Sequence, residues 1–341
     1  MESFAKLADC YKSHVGKVLQ LEILPACLFE LEPNSSTSSQ LLEDGLDIGI
    51  GKDLLLQAFP IARALLLSNQ QLENPPHDQV MIATQIILTL DGEHLTAANF
   101  RKRHLLALKQ RFGHSSPEIR SAVSAEMAML TSFLTSPLWR HTKSPNLWHH
   151  RRWLLKYSYV NLLDPRTQEE RAVINNEAFC MAEISVVMKA SERHPLNYYA
   201  WTYARSLIMF LEREGALSIS SSSSFGEHLV NAVYSWCARY PRDTSGWSFL
   251  GLLLRRLGTH DVNKSVVRQS LDLAFKFNWD YDSFWSFVRI VLASKTVLTQ
   301  SERALYLSDI RSRLRDWKPN GIAKMLSWIG EENAEQNLPL T

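Results

Sequence analysis

The residues with the most evident chemical capacity cluster between positions 141 and 152. His141, His149 and His150 supply imidazole nitrogens, and Arg151 and Arg152 follow directly. Imidazoles bind a transition metal when a carboxylate or thiolate completes the set. No such group stands at ligand spacing here, so the trio reads as a structural feature of a helix start. The two arginines require acidic partners on neighbouring helices, and Glu126 and Glu183 are the candidates. A second stretch, Gly45-Leu46-Asp47-Ile48-Gly49-Ile50-Gly51-Lys52-Asp53, faintly resembles a phosphate loop. It lacks the first glycine at the required spacing and places Asp53 where a hydroxyl would bind magnesium, so that reading is rejected. The four cysteines (Cys10, Cys27, Cys180, Cys237) are scattered without a CxxC pair. They read as free thiols of a reducing compartment. No Ser/His/Asp or Cys/His set stands out.

The elements that must position these groups are marked by a recurring tryptophan. Trp148, Trp201, Trp247 and Trp285 stand in the same local setting, and Ala98 holds the equivalent place in an earlier, weaker unit. The successive spacings are 50, 53, 46 and 38 residues. A bare helix hairpin in arrays of this type needs roughly 34 residues, so the excess falls in loops. Asn161–Asn176 and the serine run Ser218–Ser224 are predicted to be such insertions. From each tryptophan, positions +3 and +7 continue one helical stripe: Ala204 and Ile208, then Leu250 and Leu254, then Val288 and Leu292. The adjoining stripe is also apolar, as expected of an inner helix covered on more than one side. Ser144, Asn197 and Asp243 stand four residues before their tryptophans and are predicted N-caps. Pro145 follows its cap, and Pro195 and Pro241 should end preceding helices. Those preceding helices are predicted at Glu118–Leu134, Glu177–Ser191, Gly226–Ala238 and Asn263–Phe275. The fold class is therefore all-α, an α-α superhelix of helix hairpins.

Composition narrows the function classes. The 341 residues are 45% hydrophobic and 21% charged, with a net charge of +2. That balance argues for a soluble globular protein and against nucleic acid as a partner. No run reaches the ~18 apolar residues of a membrane span. Glu2, Lys6 and Asp9 in the first turns argue against a signal peptide. The expectation is a cytoplasmic protein.

The tryptophan segments resemble the protein prenyltransferase alpha-subunit repeat. Its pattern runs as proline, a basic residue, Asn, Tyr, two residues, Trp, then His-Arg-Arg or a relative, then Leu-Leu. Leu147-Trp148-His149-His150-Arg151-Arg152-Trp153-Leu154-Leu155 matches it well, and so does Asn197-Tyr198-Tyr199-Ala200-Trp201. The later units keep the tryptophan and the apolar stripe but lack the arginine pair. The resemblance covers roughly residues 80–300. The divergent units look more like the prenyltransferase alpha-subunit repeat-containing proteins than the standard alpha subunits.

The resemblance implies a right-handed crescent of hairpins around a separate beta subunit. That partner would hold the zinc, the isoprenoid pocket and most of the peptide site, so no metal or cofactor is expected on this chain. The family places a lysine five residues before an early tryptophan, and here that residue is Lys143. Its role would be to set a cation against the diphosphate leaving group as negative charge grows. The family histidine two residues before the next tryptophan is here Tyr199, which can donate a hydrogen bond but carries no charge. Tyr198 keeps the tyrosine three residues before Trp201, whereas that position in the preceding unit is Pro145. Lys143 also has a plainer reading as a solvated loop lysine, because Arg242 holds the same place in the fourth unit.

Two functions follow as expectations. The first is an alpha-type subunit of a heterodimeric protein prenyltransferase, assisting farnesyl or geranylgeranyl transfer from the diphosphate to a protein cysteine. The second is a non-catalytic helical-repeat scaffold or adaptor. Five hairpin repeats are expected over residues 76–300. Residues 1–75, with helical patterns at Phe4–Leu24 and Leu54–Leu67, should form an N-terminal helical cap, and residues 301–341 a C-terminal helical cap and tail. Amphipathic patterns in that last segment end with Trp317, Met325 and Trp328.

Overall fold

The computed structural model describes residues 1–29, 40–68, 77–113, 116–162, 169–215, 224–257, 259–313, 321–322 and 324–327. Helices dominate and are arranged as successive hairpins, so the fold is an all-α helical repeat. Helix α1 is Glu2–Ser13 and α2 is Lys52–Ser68. The hairpins follow as α3 (His77–Leu90) with α4 (Leu95–Phe112), α5 (Pro117–Leu134) with α7 (Pro145–Leu162), and α8 (Glu169–Arg193) with α9 (Tyr198–Arg213). Between α5 and α7 lies the single turn α6, Trp139–Thr142. Two more hairpins pair α10 (Ser224–Arg239) with α11 (Thr244–Leu257) and α12 (His260–Lys276) with α13 (Asp282–Ala293), before α14 (Gln300–Arg313). The chain divides into two compact units, Met1–Phe210 and Leu211–Thr341.

The predicted helix starts are realised by their caps. Leu147 N–H donates to Ser144 Oγ (3.0 Å), Ala200 N–H to Asn197 Oδ1 (3.2 Å) and Gly246 N–H to Asp243 Oδ1 (2.8 Å). Each satisfies a donor that the first helical turn leaves orphaned. The preceding helices end at Arg193 and Arg239, two residues before Pro195 and Pro241.

The recurring tryptophans are buried, at 3% (Trp148), 0% (Trp201), 1% (Trp247) and 1% (Trp285) exposed. Three of them make the same bond. The indole N–H of Trp148 donates to Thr142 O (2.8 Å), that of Trp247 to Pro241 O (2.9 Å) and that of Trp285 to Trp279 O (2.8 Å). Each acceptor lies six residues before its tryptophan. The ring thus fills the core while its one polar atom satisfies the turn that precedes the helix. The turn carbonyls take a second donor from the following hairpin. Asn197 Nδ2 donates to Thr142 O (2.8 Å) and Ser283 Oγ to Pro241 O (2.8 Å).

The first 75 residues differ from the helical expectation. The helix that begins near Phe4 ends at Ser13, and the backbone turns at Gly16 with φ +77°. Strand β1, Gln20–Leu24, follows, with β2 at Leu41–Asp44 and β3 at Asp47–Gly51. The sheet order is β1-β3-β2, with β1 parallel and β2 antiparallel to β3. Long-range pairing selects strand here, because β1 meets β3 only through tertiary contact. The same pairing explains the glycines of the rejected phosphate loop. A Cβ on Gly49 would meet Leu24 Cδ1 at 2.6 Å, and one on Gly51 would meet Gln40 Cβ at 2.6 Å. The sheet joins α5 through Leu19 N–H, which donates to Ser132 Oγ (2.7 Å).

Two predicted loops also change. Helix α8 begins at Glu169, so much of Asn161–Asn176 is helical. Of Ser218–Ser224, only Ser224 lies within the described residues, and it opens α10. Trp317 and Trp328 lie outside the described residues, whereas Met325 is buried. Among the described residues no helix is long and apolar enough to cross a membrane.

Truncating a buried indole removes both its packing and its hydrogen bond. Trp247→Ala is expected to lose about 3–5 kcal/mol of stability, measured by urea denaturation. Trp247→Phe should recover part of that loss but not the bond to Pro241 O. A loss below ~1 kcal/mol in the alanine variant would contradict the buried placement.

Candidate functional site

The candidate site is built around the start of α7. The short helix α6 stops at Thr142, and the Lys143 N–H bonds back to Trp139 O (3.0 Å). Ser144 then caps α7 and Pro145 opens it. Ser144 Oγ also donates to Glu93 Oε1, and Asn146 Nδ2 donates to Gly92 O (2.9 Å), which ties this turn to the one before α4. Lys143 is thereby held at a rigid corner. It is half-buried and forms no ion pair among the described residues.

Below this corner the arginine pair separates into two roles. Arg151 is buried and binds Glu183 in a fork, Nε to Oε2 at 2.8 Å and Nη2 to Oε1 at 2.6 Å. Its third nitrogen donates to Thr131 Oγ1 (2.9 Å), and Tyr203 Oη donates to Glu183 as well. Arg152 instead meets His149 Nδ1 at 3.2 Å on the surface. Glu126, the other candidate partner, is taken by Arg101. That arginine binds it through Nε (2.8 Å) and Nη2 (2.7 Å), and donates to Thr84 Oγ1 (2.9 Å) through its third nitrogen. Arg101 stands three residues after Ala98, as Arg151 stands three after Trp148, so the motif repeats down to its threonine. Sequence reasoning missed Arg101 because its unit lacks the tryptophan. The stripe position +3, read as apolar in later units, was the available signal.

The three histidines do not form a metal cluster among the described residues. His141 is buried, with Nε2 2.8 Å from Leu88 O. His150 is buried 3.3 Å from Glu126 Oε1. Burial pulls it down to about 4, against the opposing pull of the Glu126 carboxylate. Burial alone would raise Glu126, but the Arg101 guanidinium outweighs that and holds its carboxyl below the usual range. His149 is exposed, and partial desolvation with the neighbouring cations of Lys102, Arg152 and Lys156 lowers it as well.

Those cations mark a basic surface that net charge concealed. Helices α4 and α7 contain no aspartate or glutamate. Lys102 lies over the Trp153 ring (5.9 Å) and Lys109 over Tyr157 (4.5 Å), while the two rings stack at 4.8 Å. Beside this row a pocket of about 200 Å³ is lined by Pro145, Trp148, His149, Arg152, Tyr199, Thr202 and Tyr203. Tyr199 is 41% exposed and Tyr198 is 62% exposed, and their rings meet edge to face. The structure therefore brings Tyr199 to His149 and Arg152. Lys143 stands two residues before Pro145 and is not in the pocket lining. The pocket presents an imidazole, a guanidinium and a phenol, a donor set suited to an anion.

Two outcomes test this interior. Glu183→Gln leaves Arg151 buried without its counter-charge, at an expected loss of about 3–5 kcal/mol in urea denaturation. Replacing both partners, as Arg151→Met with Glu183→Leu, should recover most of it. His150, with an ordinary value of 6.5 and a folded value of about 4, is protonated first in the unfolded chain. Its contribution is intact above pH ~6.5 and is lost as pH falls toward 4, by on the order of 3 kcal/mol. His150→Gln should flatten that part of the stability profile, and an unchanged slope would contradict the burial.

Comparison with known proteins agrees with this architecture. The family model for the ECM9 middle domain matches residues 147–271. A human protein, protein prenyltransferase alpha subunit repeat-containing protein 1, is 27% identical over 57% of this chain and 44% of its own length. Its zebrafish (Danio rerio) counterpart is 26% identical over 57% of this chain and 42% of its own. The match thus spans less than half the length of these curated relatives. Carrying their repeat in sequence and helix hairpins in structure, the chain is a relative of the protein prenyltransferase alpha subunit repeat-containing proteins.

Proposed function

We propose that this chain is an alpha-type subunit of a heterodimeric protein prenyltransferase. It would assist transfer of a farnesyl or geranylgeranyl group from its diphosphate to a cysteine of a protein substrate. The observation that carries the reading is Lys143, half-buried and without a counter-ion among the described residues, at the corner leading into α7. A lysine held this way can place a cation against a leaving diphosphate without first breaking an ion pair. The pocket of His149, Arg152 and Tyr199 supports the same role, because its donors also suit an anion. Tyr199 would contribute a hydrogen bond where the related repeat has a charge-capable histidine, and Tyr198 would frame the opening. In this reading the five hairpin repeats would span residues 76–300, with 1–75 and 301–341 as the segments before and after them in the sequence. The beta-type partner, in the cytoplasm, would hold the zinc that lowers the pKa of the acceptor thiol.

The scaffold reading rests on Tyr199 and on the loss of the +3 arginine at Ala204, Leu250 and Val288. The test co-expresses the chain with prenyltransferase beta subunits and measures transfer to a cysteine-bearing peptide. The expected result is an active heterodimer. Lys143→Ala should lower kcat roughly a hundredfold while size-exclusion chromatography shows assembly intact. A heterodimer with equal rates would return Lys143 to a solvated loop residue. Failure to pair with any beta subunit would assign the chain to the scaffold class.

A further inference from the structure

We propose that Cys10, His14 and Glu43 bind one zinc-type divalent transition metal ion. Cys10 and His14 are four residues apart at the end of α1, so both project from one helix face. Glu43 comes from β2, which the sheet brings alongside. One ligand atom from each lies within 4.8 Å of the other two. Zinc bonds of about 2.0–2.3 Å require the three side chains to draw in around the ion. A thiolate, an imidazole and a carboxylate leave a fourth tetrahedral position for water.

The surroundings of His14 suit a ligand role. Nδ1 lies 2.8 Å from Cys10 O and Nε2 lies 3.1 Å from Gly45 O, so both ring nitrogens face carbonyl acceptors. A neutral imidazole has one N–H. If Nδ1–H donates to Cys10 O, the Nε2 lone pair confronts Gly45 O and the nearby carboxylate with nothing to share. With Nδ1–H directed at Cys10 O, a cation at Nε2 resolves this; the other tautomer donates Nε2–H to Gly45 O and leaves Nδ1 to Ser13 Oγ at 3.0 Å. The Nδ1–carbonyl bond is also the contact that fixes the tautomer of metal-binding histidines. Burial and the Glu43 carboxylate push the Cys10 thiol up to about 12, so the metal must displace its proton. Binding forms the metal–sulfur bond and releases that proton to solvent. The ion would staple the end of α1 to the β2–β3 hairpin, whose turn passes through Gly45 at φ +60°.

The inference does not depend on the prenyltransferase reading; it departs from the expectation of no metal on this chain, and all three ligands belong to this chain, whereas the catalytic zinc is assigned to the partner. The experiment titrates the purified, reduced full chain with Co²⁺ and follows the thiolate-to-cobalt charge-transfer absorption. One equivalent should bind and be displaced by Zn²⁺. Cys10→Ser should abolish the absorption and Cys27→Ser should retain it. His14→Gln, at a partly exposed position, should weaken binding about tenfold or more with an unchanged circular dichroism spectrum. No stoichiometric binding, or a band that survives Cys10→Ser, would overturn the site.

Discussion

The bond from the indole N–H to the carbonyl six residues before it is the interaction on which the other features depend. It lets a large aromatic ring sit in the core without an orphaned polar atom, and it fixes the turn through which the chain passes into an inner helix. Thr142 O and Pro241 O each accept both their own tryptophan and a side chain from the following hairpin. One carbonyl therefore sets the shape within a hairpin and the register between two. Lys143 is the next residue after Thr142, so its placement is inherited from this junction.

Charge is distributed by the same repetition. Arg101 and Arg151 enter the interior at equivalent positions and find a glutamate and a threonine arranged alike. Such pairs add little net stability over apolar packing, but they are costly to break, so they specify which helix lies beside which. They also draw Glu126 and Glu183 inward. The outward residues of α4 and α7 are left basic, with Lys102, Lys156 and Arg152 surrounding His149. A chain with a net charge of only +2 thus carries a locally positive face.

The legible parts of the fold were those governed by short-range rules. Caps at Ser144, Asn197 and Asp243, breaks before Pro195 and Pro241, and the apolar stripes all depend on residues within a turn or two of each other. The N-terminal sheet was not legible. Gln20–Leu24 becomes a strand because Asp47–Gly51 is beside it, and nothing near Gln20 announces that. The site was legible in part. Trp148 and Trp201 located Lys143 and Tyr199, but the sorting of acidic partners between Arg101 and Arg151 needed the packed helices. No local pattern set Cys10 and His14 apart from the other cysteines and histidines, and Glu43 lies on a strand that only the sheet brings near.

By itself, the sequence determined the helical hairpins and their phase. Period, capping and proline placement are local properties, and the buried tryptophans follow from them. It also named the resemblance from which a function can be proposed. Tertiary structure decided which charges are neutralised and which are left facing solvent, that His141 and His150 are buried while His149 is not, and that Tyr199 shares a pocket with His149 and Arg152. Those outcomes depend on distances between helices far apart in the chain, and such distances are set by packing.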